Sequence, residues 1–367
     1  MNKGIIVVKV GTAVLSGRSG RIDEAYIKDL TGQICKLRTS GYKVILVSSG
    51  AIGAGMEALG INQRPQKLAK LQACAAIGQG KLMRLYEENF RRHGTHAAQI
   101  LLTRDDLGDR KRCINAANTI MAVLKECNSV PVINENDTIA TEEIRYTDND
   151  EISHVVASLI GAHTLIMLTN VDGIYSSDDG KVIPIFTAMN QSDIKKIVRP
   201  SKSKLGSGGM TGKIEAANIA RLLGITCIIA NGRSKDILLD IKKGEYVGTT
   251  FSPSNINKTQ TKKSWLAFAP KPKGSIVVDD GAKAALVKGN KSLLAAGIKK
   301  ISGNFQAGDV VSIVGLNGSE FAKGMVGFSS YEVNRIKGLR TNEIEEKLDC
   351  RVSHHEVVHK DKLVILG

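Results

Sequence analysis

The chain has 367 residues, 42% apolar and 24% charged. That is room for two domains of ~100–200 residues each, and the balance excludes disorder and collagen-like repeats. Only 4% of residues are aromatic, too few for a platform that stacks single-stranded nucleic acid. Lysine and arginine (51) outnumber aspartate and glutamate (36), for a formal charge of +15. Anionic partners are therefore expected: nucleic acid, an anionic membrane, or phosphorylated and carboxylate substrates.

Taken in chain order, short β-branched runs alternate with longer helical stretches from residue 4 to about 250. Strands are predicted at Gly4–Val10, Lys43–Ser48, His96–Leu102, Val130–Asn134, His163–Thr169 and Ile225–Ala230. Helices are predicted near Asp23–Leu37, Ala51–Leu59, Lys67–Arg92, Arg112–Cys127, Glu151–Ile160, Thr211–Leu223 and Asp236–Lys242. Strands apolar on both faces, each followed by a helix, imply an α/β domain: a mostly parallel sheet sandwiched by helices. Ligands of such sheets sit at the carboxyl ends of the strands. Beyond Phe251 the texture changes to a proline- and lysine-rich segment without acids, then to short strands near Gly274–Val278, Gly297–Gly303, Gly308–Val314 and Phe321–Val326. The expected division is an α/β domain at 1–254, a basic linker at 255–273 and a small β-rich, barrel-like domain at 274–367.

The six cysteines, at 35, 74, 113, 127, 227 and 350, contain no C-x-x-C pair and read as core thiols of a reducing cytoplasm. No apolar run reaches the ~18–20 residues of a membrane span. His354, His355 and His359 cluster without Cys or acidic ligand spacing and read as a solvated face.

Five post-strand loops could carry chemistry. Lys9, beside Gly11 and Thr12, ends the first strand and can project over the ligand edge. Ser49-Gly50-Ala51, with Gly53 and Gly55, opens a helix in the order G-x-x-G-x-G. That order suits anion binding at a helix N-terminus or tight packing of helix on sheet, and it is not the dinucleotide fingerprint. Asn134-Glu135-Asn136-Asp137 and Asp148-Asn149-Asp150-Glu151 are dense polar clusters. The second also reads as a capping box, with Asp148 three residues before Glu151. Thr169 and Asn170 end a strand. Ser207-Gly208-Gly209-Met210-Thr211-Gly212-Lys213 opens a helix; it suits a polyphosphate and narrowly misses the P-loop pattern.

Together the stretches V-V-K-V-G-T (7–12), S-S-G-A-I-G-A-G (48–55), V-P-V-I-N-E-N-D (130–137), D-N-D (148–150), T-N-V-D-G-I-Y (169–175) and G-S-G-G-M-T-G-K (206–213) resemble the amino-acid kinase family. Within it they are most similar to the bacterial members that phosphorylate the side-chain carboxylate of L-glutamate. The tail from about 274, with G-D-V-V-S-I-V-G and A-K-G-M-V-G, is similar to a PUA domain. The chain departs from the family pattern at Asn170, where Asp is common, and at Thr211-Gly212.

The resemblance implies γ-phosphoryl transfer from ATP to L-glutamate, giving γ-glutamyl phosphate as the first step of proline biosynthesis. It implies catalytic roles for Lys9, Lys213 and Asp150, the last orienting the two lysines. Glutamate would be held by Ser49, Gly50, Ala51, Asp137, Asp148 and Asn149. ATP, with Mg²⁺ bound mostly through its phosphates, would be held by Lys9, Gly11, Thr169, Asn170 and the 207–213 loop. Proline is implied as feedback inhibitor, near the 138–148 loop, and glutamate-5-semialdehyde dehydrogenase as the partner that consumes the labile product. A homo-oligomer is expected.

Two other readings stand beside this one. A related kinase could act on another carboxylate or phosphate, and the tail could bind RNA. Charge location argues against RNA: residues 1–254 carry 33 basic and 25 acidic side chains, the linker 5 and none, and the tail 13 and 11. A surface that tracks a phosphate backbone concentrates Lys and Arg, so nucleic acid and membrane are not expected partners.

Overall fold

In the computed structural model the run Ile5–Val10 (β1) is buried along its whole length, as a central strand covered on both faces must be. The structure describes residues 3–17, 21–139, 149–176, 179–186, 209–245, 247–253, 272–289, 291–349 and 355–366. Contacts divide the chain into one unit of Met1–Asp106 with Arg110–Ile256 and another of Leu107–Asp109 with Asn257–Gly367.

The first unit is built on eight strands: β1, Lys43–Ser48 (β2), His96–Leu102 (β3), Ser129–Glu135 (β4), Thr164–Thr169 (β5), Ile185–Phe186 (β6), Thr226–Asn231 (β7) and Thr249–Phe251 (β8). Their order in the sheet is β3-β4-β2-β1-β5-β7-β8-β6. The β7–β8 pair is antiparallel and the other pairs are parallel. Predicted and observed strands coincide at β2 and β3, differ by one residue at one end of β1 and β5, and differ by one residue at both ends of β4 and β7. The two short strands β6 and β8 were not foreseen. Pieces of two or three residues show no alternation to read, and β8 lies where the composition turns linker-like.

Helices Thr12–Leu15 (α1), Glu24–Thr39 (α2), Ala51–Ala58 (α3), Leu68–Arg91 (α4), Arg104–Gly108 (α5), Arg110–Glu126 (α6), Asp150–Leu159 (α7), Met210–Leu222 (α8) and Ile237–Lys243 (α9) connect the strands. α2 starts where Asp23 accepts a hydrogen bond from the Tyr26 amide, a side-chain cap that satisfies one of the free amides of the first turn. Its apolar stripe, Ile27, Leu30 and Ile34, packs with Tyr86 and Phe90 of α4 and with Val8 and Leu46 of the sheet. Each such fully buried aliphatic side chain contributes roughly 1.5–3 kcal/mol.

Two sequence readings are corrected here. Gly55 does not serve packing of α3 on the sheet. A Cβ there would lie 1.7 Å from the Cys74 carbonyl oxygen, and one at Gly78 would lie 1.8 Å from that of Ala51, so the pair lets α3 and α4 cross backbone to backbone. The capping box at 148–151 also fails. The N-cap of α7 is Asn149, its side chain makes no capping bond, and the helix begins at Asp150. Asp148 itself lies outside the described residues.

In the second unit, strands Gly274–Val278 (β9), Ile298–Gly303 (β11), Val310–Val314 (β12), Glu320–Met325 (β13) and Leu363–Ile365 (β15) form a sheet ordered β11-β9-β12-β13-β15. Leu293–Leu294 (β10) pairs with Glu356–Val358 (β14). Helices Asp280–Val287 (α10), Ser330–Ile336 (α11) and Ile344–Leu348 (α12) complete it. Ile276, Val311, Ile313, Val333 and Ile336 form the centre of a separate core. The expected barrel is thus, among the described residues, a mixed five-stranded sheet with a small two-stranded one. The C-terminal strands β14 and β15 are too short to show a pattern.

Candidate active site

Chain order places the crevice. β1 leads to β2 on one side of the sheet, whereas β5, reached by the crossover through α7, lies on its other side. That reversal is the switch point at which open α/β sheets bind ligands. Three side chains meet there. Lys9 Nζ, at the end of β1, lies 2.5 Å from Asp150 Oδ1 at the start of α7. Lys213 Nζ, in the first turn of α8, donates to Asp150 Oδ2 at 2.8 Å. Lys9 has no exposed surface, Asp150 is 4% exposed and Lys213 7%. One carboxylate thus receives two ammonium groups, one on each oxygen, and the trio carries one more positive charge than negative. A buried excess of positive charge is costly without a compensating anion.

Around the trio the backbone is opened by glycines. A Cβ on Gly11 would sit 3.5 Å from Lys9 Nζ, in van der Waals contact with that ammonium. The Gly11 amide bonds across the switch point to the Leu168 carbonyl at 3.4 Å. Gly50 caps α3 with φ +100°, a left-handed conformation that favours glycine. Neither Gly50 nor Gly209, the N-cap of α8, adds a side-chain bond to its helix. The first-turn amides of Ala51 onward and of Met210, Thr211 and Gly212 thus receive no bond from an N-cap side chain, and helix N-termini favour anions. Ser207 and Gly208 lie outside the described residues.

On the other side of the trio a network of neutral side chains joins α7 to the strand ends. Asn149 Nδ2 donates to the Ser48 carbonyl at 2.5 Å and to Asn134 Oδ1 at 2.7 Å. Asn134 Nδ2 in turn donates to Gln79 Oε1 at 2.8 Å. The Ser48 hydroxyl meets the Tyr86 hydroxyl at 2.8 Å, and the Ser49 amide bonds to the Val10 carbonyl at 3.2 Å. Asn149 thus ties α7 to the ends of β2 and β4, which explains why its side chain is not spent on a helix cap. Asp137, half-buried beyond β4, has its carboxyl pushed up to about 7 by burial and by the Glu135 carboxylate, with Arg64 pulling the other way.

At the end of β5, Thr169 is buried and its hydroxyl approaches Asn170 Oδ1 at 3.4 Å, while Asn170 is exposed. The Gly232 amide bonds to the Thr169 carbonyl at 2.8 Å, drawing the loop after β7 beside it.

Comparisons to known proteins agree with the fold. The model of the amino acid kinase family matches residues 4–231, well over half of the chain. The chain belongs to the amino acid kinase family. A PUA domain model matches residues 274–348. The chain is 45% identical over 366 residues to a glutamate 5-kinase of Caldanaerobacter subterraneus subsp. tengcongensis, covering 98% of this chain and 97% of that one. It is 41% identical to a glutamate 5-kinase of Thermoanaerobacter sp., with the same coverage. It is also 41% identical to one of Moorella thermoacetica, covering 99% and 96%.

Sequence reasoning about this amino acid kinase missed four polar residues at the site. Asn134 stood within a quoted motif but was not assigned to the site. Gln79 and Tyr86 lie inside a long helix, and only their spacing of seven residues, two turns, places them on one face. Asn231 ends β7 and donates to Asp172 Oδ1 at 2.8 Å; a polar residue closing an apolar strand was its one signal. Among the described residues no group of three or more His, Cys, Asp or Glu is placed to hold a metal ion, and both Asp150 oxygens face lysines. Nor is any described helix long and apolar enough to cross a membrane.

Proposed function

We propose that the chain transfers the γ-phosphoryl group of ATP to the side-chain carboxylate of L-glutamate, the reaction of a glutamate 5-kinase and the first step of proline biosynthesis. The observation that carries this reading is the buried Lys9–Asp150–Lys213 array at the switch point, in a chain that matches glutamate 5-kinases along nearly its whole length. A carboxylate oxygen of glutamate attacks the γ-phosphorus as the bond to the β–γ bridging oxygen breaks. The products are γ-glutamyl phosphate and ADP. The nucleophile is already ionised at neutral pH, so the reaction needs no general base. What remains is to bring two anions together and to stabilise the charge on the phosphoryl oxygens in transit.

In this reading Lys9 and Lys213 stabilise that charge from two sides, and Asp150 holds their ammonium groups apart and aimed. Ser49, Gly50, Ala51, Asp137, Asp148 and Asn149 hold glutamate, with its α-ammonium facing Asp137 or Asp148. Gly11, Thr169, Asn170 and the 207–213 loop hold ATP. Mg²⁺ enters as part of the MgATP substrate, held by phosphate oxygens and water, consistent with an Asp150 already committed to lysines.

The proposal extends to a cytoplasmic, homo-oligomeric enzyme whose kinase domain ends near 254 and whose PUA domain begins near 274. It includes inhibition by proline and hand-over of the product to glutamate-5-semialdehyde dehydrogenase. Trapping with hydroxylamine tests the reaction: ATP and glutamate together should yield γ-glutamyl hydroxamate, and less of it when proline is added. ATP turnover without hydroxamate, or a preference for aspartate, N-acetylglutamate or UMP, would overturn it.

A further inference from the structure

The opposite edge of the same sheet carries a second concave, basic site. A cavity of about 700 Å³ opens there, within the 300–1,000 Å³ typical of small-molecule sites. It lies where β2, β3 and β4 begin, against the C-terminal ends of α2, α4 and α6, and Lys36, Arg38, Lys43 and His93 line it with no Asp or Glu among the described lining residues. Five strand steps separate Lys43 from Ser48, ~17 Å at 3.3 Å per residue, so this is not the crevice that holds the lysine trio.

Arg38 is the centre of this cavity. Its side chain turns away from the end of its own helix and donates to the Thr95 hydroxyl and, at 3.1 Å, to Asn128 Oδ1. The Thr95 hydroxyl in turn donates to the Asn128 backbone carbonyl at 2.5 Å. Asn128, in a left-handed conformation with φ +43°, donates to the Gly94 carbonyl at 3.1 Å. Among the described residues this half-buried guanidinium is thus held in place by neutral groups. Burial disfavours its charged form, and none of the groups that hold it is an acid. Lysines near helix C-termini are ordinarily explained by the helix dipole. That account covers Lys36, but not an arginine fixed by the loops before β3 and β4.

We propose that this cavity binds a small oxyanion-bearing molecule, a phosphate ester or a carboxylate, through Arg38 with Lys36 and Lys43 at its rim. Among the described residues two of the five guanidinium N–H groups are engaged, and arginine makes paired bonds to planar or tetrahedral oxyanions with the others.

Calorimetric titration of the full chain tests this, with the catalytic crevice first filled by glutamate and a non-hydrolysable Mg–ATP analogue. Orthophosphate and succinate serve as the two probes, and their relative affinity tells phosphate from carboxylate recognition. Binding of one of them is expected, weakened about tenfold or more by Arg38→Gln, since hydrogen bonds to charged groups contribute ~1.5–3 kcal/mol. Hydroxamate formation by that variant should stay at the wild-type rate. If neither probe binds, or if Arg38→Gln binds as the wild type does, the proposal is wrong. Should Arg38→Gln fail to fold by circular dichroism, the rim variant Lys36→Gln/Lys43→Gln carries the test, with several-fold weaker binding expected and unchanged binding overturning the proposal.

Discussion

The two flanks of the crevice solve the burial of polar groups in different ways. On the β1–α8 flank three full charges are buried together, and Asp150 gives one oxygen to each lysine. On the β2–β4 flank a network of neutral amides and hydroxyls runs from Asn149 through Asn134 to Gln79 and from Ser48 to Tyr86, with the buried Glu135 at the end of β4 beside it. Removing one member of an ionic set leaves an uncompensated charge, whereas removing one amide leaves an unsatisfied donor or acceptor. The charged flank suits a group whose negative charge is redistributed during the reaction. The neutral flank suits a zwitterion that has only to be positioned.

That contrast can be broken at four points. The largest effect is expected from Asp150→Ala, which leaves two buried ammonium groups without their shared carboxylate. Stability measured by urea unfolding should fall by about 3–5 kcal/mol, and hydroxamate formation should fall by about a thousandfold or more. A variant within tenfold of the wild type would mean that the trio is not the centre of catalysis. Next comes Lys213→Ala, expected to lower kcat by about 10²–10³ with KM for glutamate changed only a few-fold, as loss of transition-state stabilisation requires. A change confined to KM would move Lys213 to ground-state binding.

On the neutral flank, Asn134→Ala removes a group that bonds both Asn149 and Gln79. KM for glutamate should rise about ten- to a hundredfold, from ~1–3 kcal/mol for the partners left unsatisfied, with kcat much less affected. An equal loss in kcat would erase the division between the two flanks.

The smallest effect concerns pH. With its carboxyl raised to about 7, Asp137 in the free protein is protonated below that pH and cannot pair with an ammonium group. Glutamate affinity should therefore strengthen, and its KM fall several-fold, as pH rises through about 7. Asp137→Asn should flatten that profile; a profile kept by Asn would assign the titration to another group.

Much of this was legible in the residues. β2 and β3 carry clear runs, and each helix from α2 to α4 announces itself by an apolar stripe. Lys9, Asp150 and Lys213 could be singled out through resemblance. What escaped had physical reasons. β6 and β8 take their place from neighbours rather than from a pattern, because two or three residues cannot express a period of two. Glycines of one motif proved to do different work. Gly50 makes a left-handed turn and Gly55 a helix crossing, and nothing local separates those uses. Asn149 at a helix start looks like an ordinary N-terminal signal until its partners on β2 and β4 are seen.

The opening charge of +15 called for anions without saying where. By itself the sequence determined the alternation of strand and helix, the glycine-opened loops at the strand ends and the separate β-rich tail, all set by local sterics and hydrophobic periodicity. Only the tertiary structure decided that Asp150 stands between Lys9 and Lys213, the latter 63 residues further along the chain. It alone also gathered Lys36, Arg38 and Lys43 around a cavity at the far edge. Side chains distant in sequence are brought together by strand order and crossover, and neither is written in any one segment.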